Sequence, residues 1–146
     1  MKKDSLRLIG KNQDDLKVIS AYLQDSIATI KDIVFLKKNM TFIMVVNRFM
    51  WEDAEKGVFR ENKRIRCAVR FEEVINVKSK NINQKNKNKP LEYLAIECNL
   101  VPGKTYQIKI FFAGDSIITL ETETIEVIMH DLGESWNVKH VPKHKI

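Results

Sequence analysis

A chain of 146 residues, 44% of them hydrophobic and seven of them Phe, is sized for one domain and can build a core without disulfides or metals. It has no run of 18 apolar residues, so no helix is expected to span a membrane. Met1-Lys2-Lys3-Asp4-Ser5 lacks the apolar stretch of a signal peptide. The two cysteines are then expected as free thiols in a reducing compartment. The expectation is a soluble cytoplasmic protein: a single domain over 1–146, with a folded core of about 5–136 and a tail at 137–146.

The net charge of +6 invites a nucleic-acid reading, so its location matters. Residues 78–89, KSKNINQKNKNK, hold five Lys and no acid, residues 139–146 hold three more Lys, and Lys2 and Lys3 open the chain. All 19 acids lie outside these stretches and outnumber the Lys and Arg that remain there. The excess positive charge sits on an expected mobile loop (78–90) and on the ends, while the body is mildly acidic. Such a body is no groove for tracking phosphates.

In chain order, Leu6–Ile9 reads as a short strand closed by Gly10. Asn12 or Asp14 caps a helix running to about Ser26, with Leu16, Ile19, Ala21, Leu23 and Ile27 as its apolar stripe. Ile30–Leu36 and Thr41–Phe49 form a hairpin around Lys37-Lys38-Asn39. Residues 52–62 read as a polar loop. Arg66–Val77 is predicted as one strand, with Cys67, Val69 and Phe71 on one face, Arg66 and Arg70 on the other, and a β-bulge near Glu72-Glu73. Leu91–Leu100 follows, with Leu94, Ile96, Cys98 and Leu100 sharing a face. Pro102-Gly103 turns the chain into Tyr106–Phe112, and Gly114-Asp115 into Ser116–Glu121. Thr124–His130 fits helix or strand; continued alternation and its Thr, Ile and Val favour strand. Gly133 is expected to stop it, leaving Trp136 on the tail. The sum is α+β: a curved antiparallel sheet or partly closed β-barrel of about seven or eight strands, its open side covered by the N-terminal helix.

The segments DLKVISAYLQDSIATIKDIVFL, NRFMWE, RCAVRFEEVINV, YLAIEC and FAGDSIITLETETIEVIMHDLGESW follow one another in an order that resembles domain-of-unknown-function family 2948, small proteins found mainly in alphaproteobacteria. The resemblance runs from about Leu6 to Trp136. The Lys/Asn-rich insert at 78–89 departs from the family's usual run. The resemblance implies a single bacterial, cytoplasmic domain and brings no activity, substrate, cofactor or catalytic residue.

NRFMWE, residues 47–52, is the densest constellation. Read functionally, Arg48 grips an anion, Trp51 stacks and Glu52 orients the guanidinium, with Arg64, Arg66 and Arg70 extending an anion-binding patch. Read structurally, Phe49 and Trp51 finish the core, Asn47 satisfies a strand end and Arg48 pairs with a carboxylate such as Glu72. The structural reading is preferred; the candidate binding residues are Asn47, Arg48, Trp51, Glu52, Arg66 and Arg70. His140 and His144 stand four apart, but Pro142 between them breaks the helix a Zn pair needs, and no metal or cofactor is expected. Cys67 and Cys98, both on inward faces and open to being neighbours, read as buried apolar thiols. Glu121, Glu123, Glu126, Asp131 and Glu134 read as a solvated face rather than an acid/base pair, with Glu121 and Glu123 on one strand face. The five Gly are scattered, and no GxSxG or GxGxxG occurs.

Residues 48–70 carry seven Lys/Arg against four acids, and 91–138 two Lys against eight acids, a polarity suited to docking. The leading expectation is a non-catalytic interaction domain that binds a protein partner or itself through the sheet face or the rim around Arg48–Trp51. The alternative is RNA or another polyanion bound by Arg64, Arg66, Arg70 and the loop 78–89. A third is an enzyme with acid/base residues in the Glu121–Asp131 region.

Overall fold

The computed structural model describes residues 6–50, 63–103 and 105–137, apart from the side chains of Lys63 and residues 134–137. Nine strands and one α-helix follow in the order β1 (Arg7–Gly10), α1 (Gln13–Tyr22), β2 (Ile27–Leu36), β3 (Thr41–Phe49), β4 (Lys63–Phe71), β5 (Val74–Lys80), β6 (Pro90–Val101), β7 (Thr105–Phe112), β8 (Ser116–Thr122) and β9 (Val127–Asn137). They form one antiparallel sheet, ordered β1-β9-β4-β3-β2-β6-β7-β8-β5, that does not close into a barrel. The count of nine corrects the expected seven or eight.

The extra strand comes from the break at Glu72-Glu73. Both sides of it alternate, so the sequence reads as one strand with a bulge. In the structure Glu73 takes a left-handed φ of 56°, and the chain turns a corner instead. Before the corner β4 pairs with β3 and β9; after it β5 pairs with β8 alone. The β8-to-β9 connection makes the same turn alongside, and the two are tied by Glu72 N to Glu126 O (2.9 Å) and Glu123 N to Glu73 O (3.0 Å). The sheet thereby has two halves, β1-β9-β4-β3-β2 and β6-β7-β8-β5. On the far side they are stitched where Ile27–Thr29 pairs with Pro90–Glu92.

The core lies between the halves, and alternation fills it. Phe42, Met44 and Val46 of β3, Ile65, Cys67, Val69 and Phe71 of β4, Ile108, Ile110 and Phe112 of β7, and Val127 and Met129 of β9 are buried. Two departures follow from local irregularity. A register shift between Tyr93 and Ala95 changes the phase within β6, so Leu91 and Tyr93 point inward before it and Ile96 after it, while Leu94, expected inside, is 54% exposed. Leu100, also expected inside and on the parity of Ile96 but next to the strand's end at Val101, is 61% exposed. Residues 124–132 are strand from Val127 onward, as alternation favoured. Gly133, expected to end it, sits within β9 at φ 67°, and Trp136 pairs across to Arg64.

Helix α1 starts where expected. Asn12 accepts from Asp15 N at 2.8 Å, and Asp15 Oδ2 accepts from Lys11 N at 2.9 Å, a reciprocal cap worth about 1 kcal/mol. It ends earlier than expected, at Tyr22, because Asp25 turns left-handed (φ 63°). Ile27 therefore opens β2, 38% exposed, instead of closing the helical stripe. Leu16, Ile19 and Leu23 seat the helix on the core. Its Ser20 hydroxyl lies 2.6 Å from the Tyr93 hydroxyl and accepts from Ile96 N at 3.1 Å. Gly10 lies where β1 passes close to the helix: a Cβ there would stand 3.0 Å from Ile19 Cδ1 and 3.3 Å from Asp15 Cβ, so those side chains would have to give.

Candidate functional site

Along β3 the inward positions run Phe42, Met44, Val46 and then Arg48; along β9 they run Val127, Met129 and then Asp131. Two charges of opposite sign thus continue two apolar faces, with β4 between them in the sheet. Arg48 reaches over β4, its Nε donating to Asp131 Oδ1 and its Nη2 to Asp131 Oδ2, both at 2.8 Å. Neither side chain exposes any surface. Arg48 Nη1 also donates to Phe49 O at 3.3 Å. Asp131 Oδ2 accepts from Leu6 N at 2.8 Å, and Asp131 N donates to Leu6 O at 2.9 Å, pinning the lead into β1. The partner of Arg48 is Asp131, not Glu72 as expected, and Arg48 faces the core rather than a cleft.

The other arginines stand on the outer face of β4, each engaged. Arg64 Nη1 donates to Asp25 O and Asn47 O (3.2 and 3.1 Å); burial lowers its pKa, opposed by the Asp25 charge. Arg66 lies 3.7 Å from Asp32, both partly exposed, and Arg70 lies 3.3 Å from Glu72. Arg66 and Arg70 are four residues apart on one strand, roughly 13 Å, so they do not converge on one small anion. Asn47 is half-buried, its side-chain oxygen unpartnered. Trp51 and Glu52 lie outside the described residues, as do His140 and His144.

Cys67 and Cys98 are both free but stand on strands that do not pair. Burial, followed by the Asp131 charge, pushes the Cys67 thiol up to about 12. Burial also raises Cys98, against a hydrogen bond from Gln13. Both shifts oppose thiolate formation. The acidic run does not gather either: Glu121 lines a shallow polar depression on the outer face of β5, β7 and β8, Glu123 lies beyond the end of β8 and exposed, and Asp131 is bound to Arg48. Among the described residues no three His, Cys, Asp or Glu come together as a metal site.

Sequence reasoning did not find an apolar cleft of about 210 Å³ where the halves of the sheet face each other. Ile30, Phe42 and Ile118 form its buried floor; Val34, Ser79, Gln84 and Lys87 form its exposed rim. The residues come from four strands and the Lys/Asn segment, so no local pattern announces the site. Two features build it. In β2 the register with β3 shifts between Ala28 and Ile33, freeing Ile30 N and Lys31 N to donate to Lys89 O and Lys87 O (3.3 and 2.9 Å). The Lys/Asn stretch supplies turn chemistry: β5 extends through Lys80, Asn81 turns left-handed at φ 59°, Asn83 O accepts from Asn86 N, and Ser116 Oγ donates to Asn81 O at 2.8 Å. Ile82 folds back against the core, while Lys78, Lys80, Lys85, Lys87 and Lys89 stay exposed.

The fold and site define an α+β domain with a sealed ion pair at one end of its core and an apolar cleft, bordered by Lys87, between its two sheet halves. The chain belongs to the family described as Protein of unknown function (DUF2948), whose model matches residues 6–144. No curated protein and no solved structure matches it. No helix among the described residues is long and apolar enough to cross a membrane.

Proposed function

We propose that this protein is a non-catalytic cytoplasmic interaction domain that binds a protein partner, and that its contact surface is the cleft between β2 and β5 rather than the Arg48 rim. The carrying observation is an apolar floor bordered by Lys87, which belongs to a segment with five exposed lysines. Buried apolar centres with charged rims are how protein interfaces gain both affinity and orientation. The groups that looked chemical on sequence have structural duties: Arg48 and Asp131 hold each other, and both thiols are biased to the neutral form. The RNA alternative has weaker support. The arginines assigned to it are engaged, and among the described residues the exposed large hydrophobics are all aliphatic, whereas single strands are held by stacking on open aromatic rings.

The test is comparative capture from the native cytoplasm with wild-type protein and a cleft-blocked Ser79→Trp variant. A partner retained by the first and lost by the second is the expected result. A partner indifferent to Ser79→Trp, or no partner together with a monomer in solution, would overturn the proposal.

A further inference from the structure

Resting on that reading, we infer that the cleft takes one large apolar side chain presented by an acidic segment of the partner. Size argues first. Pockets for small organic ligands run to roughly 300–1,000 Å³; at about 210 Å³ this cleft has room for a single anchor and not for a nucleotide or cofactor. Its walls argue second. The floor is Ile30, Phe42 and Ile118, with no charge to orient a polar ligand, so what enters is apolar. The rim argues third. Lys87 lines the mouth, on a turn that also carries exposed Lys85 and Lys89, while Lys78 and Lys80 alternate with the cleft-facing Ser79 on β5, and residues 78–89 hold no acid. None of these lysines belongs to an ion pair found among the described residues. A flanking run of carboxylates on the ligand meets that field, and a basic run is repelled by it.

The lysines also stand on a built scaffold. Gln84 Nε2 donates to Ser79 Oγ at 3.2 Å, Lys85 N to Asn83 Oδ1 at 3.1 Å and Asn81 Nδ2 to Asp115 O at 2.9 Å. The rim is therefore pre-shaped on the side formed by residues 79–85, which reduces the ordering cost of binding.

A fluorescein-labelled heptapeptide with a central Trp and three Glu on each side provides the probe, read by anisotropy on the full chain. Saturable binding is expected. It should weaken about tenfold or more when the peptide Trp becomes Ala, since burying a ring of that size is worth about one to two decades of affinity. It should weaken similarly with Ser79→Trp or Ile82→Glu in the protein, each checked for an unchanged thermal melt. Lys85→Glu with Lys87→Glu should weaken it further and flatten its salt dependence. No binding, or binding indifferent to these cleft variants, overturns the inference. So does preference of the cleft for a uridine oligonucleotide, for oleate, or for a second copy seen as a dimer that Ser79→Trp dissolves. If the peptide fails while a native partner still depends on Ser79, the anchor chemistry is wrong and the interaction-domain reading stands; if both fail, that reading falls too.

Discussion

The two ends of the core differ in what they do with polarity. At the Arg48–Asp131 end, full charges are taken inside and consumed by each other, with 2.8 Å contacts and no exposed surface. At the cleft end, the interior is purely apolar and the charges are held outside on the rim. The first arrangement is costly to disturb and offers nothing to a ligand. The second costs little to disturb and leaves both apolar surface and charge available. Conspicuous chemistry in a sequence therefore need not mark an open site: Arg48, the residue that stands out in NRFMWE, leads to the sealed end.

The largest effect should come from breaking the sealed pair. Asp131→Ala leaves the Arg48 guanidinium buried without its carboxylate and strips Leu6 N of its acceptor, so a loss of about 3–5 kcal/mol is expected in urea unfolding. The double variant Arg48→Met, Asp131→Leu should recover most of that loss, because buried ion pairs commonly gain little over apolar residues of similar volume. A cost below about 1 kcal/mol for Asp131→Ala would erase the distinction between the two ends.

Ser20→Ala probes the helix seat at the intermediate level. It removes the acceptor for Ile96 N and one of two partners of the Tyr93 hydroxyl, which also donates to Ser20 O at 3.3 Å. A loss of about 1–2 kcal/mol is expected, with the β2–β5 cleft unaffected.

What the sequence showed and hid follows the same divide. Thr41–Phe49 was legible to the residue, and Tyr106–Phe112 and Ser116–Glu121 to within a residue at an end, because uninterrupted alternation bounded by turns has one reading. The inward phase of β4 was legible for the same reason. The corner at Glu73 was hidden because alternation resumes on both sides, and the exposure of Leu94 because a register shift leaves no compositional mark. The Arg48 partner lies 83 residues away. The signal that could have found it was present: opposite charges at the next inward position of two apolar strand faces. The cleft had no such signal, since its floor and rim come from β2, β3, β5, β8 and a segment whose Lys/Asn composition suggested a mobile loop.

Alkaline stability separates the buried interior from the rim by a smaller amount. The Cys67 thiol rises from 9.0 to about 12 on folding, chiefly through burial, and burial raises Tyr93 as well. In both the folded state favours the neutral form. For Cys67 the contribution is complete below pH 9 and is lost as pH climbs from 9 towards 12, by at most about 1.4 kcal/mol per pH unit. Cys67→Val should flatten the decline in unfolding free energy between pH 9 and 10.5 and leave the Tyr93 contribution, which lies higher. An unchanged slope would mean that Cys67 is not sealed in the way its position on β4 requires.

The smallest effect belongs to the rim. Lys85→Glu with Lys87→Glu reverses two exposed charges on the stretch from Asn81 to Lys89. The ties of that stretch to β2 use the backbone carbonyls of Lys87 and Lys89, and its ties to β5 and the β7–β8 turn use Gln84 and Asn81, none of which the substitutions remove. The unfolding midpoint should therefore move by no more than about 0.5 kcal/mol equivalent. That near-silence is informative. The fold has little need of lysines there, so a pair of substitutions that leaves stability alone yet weakens capture of an acidic ligand would assign those charges to recognition, whereas a loss of stability comparable to that of Asp131→Ala would make the rim a second structural knot and remove the contrast.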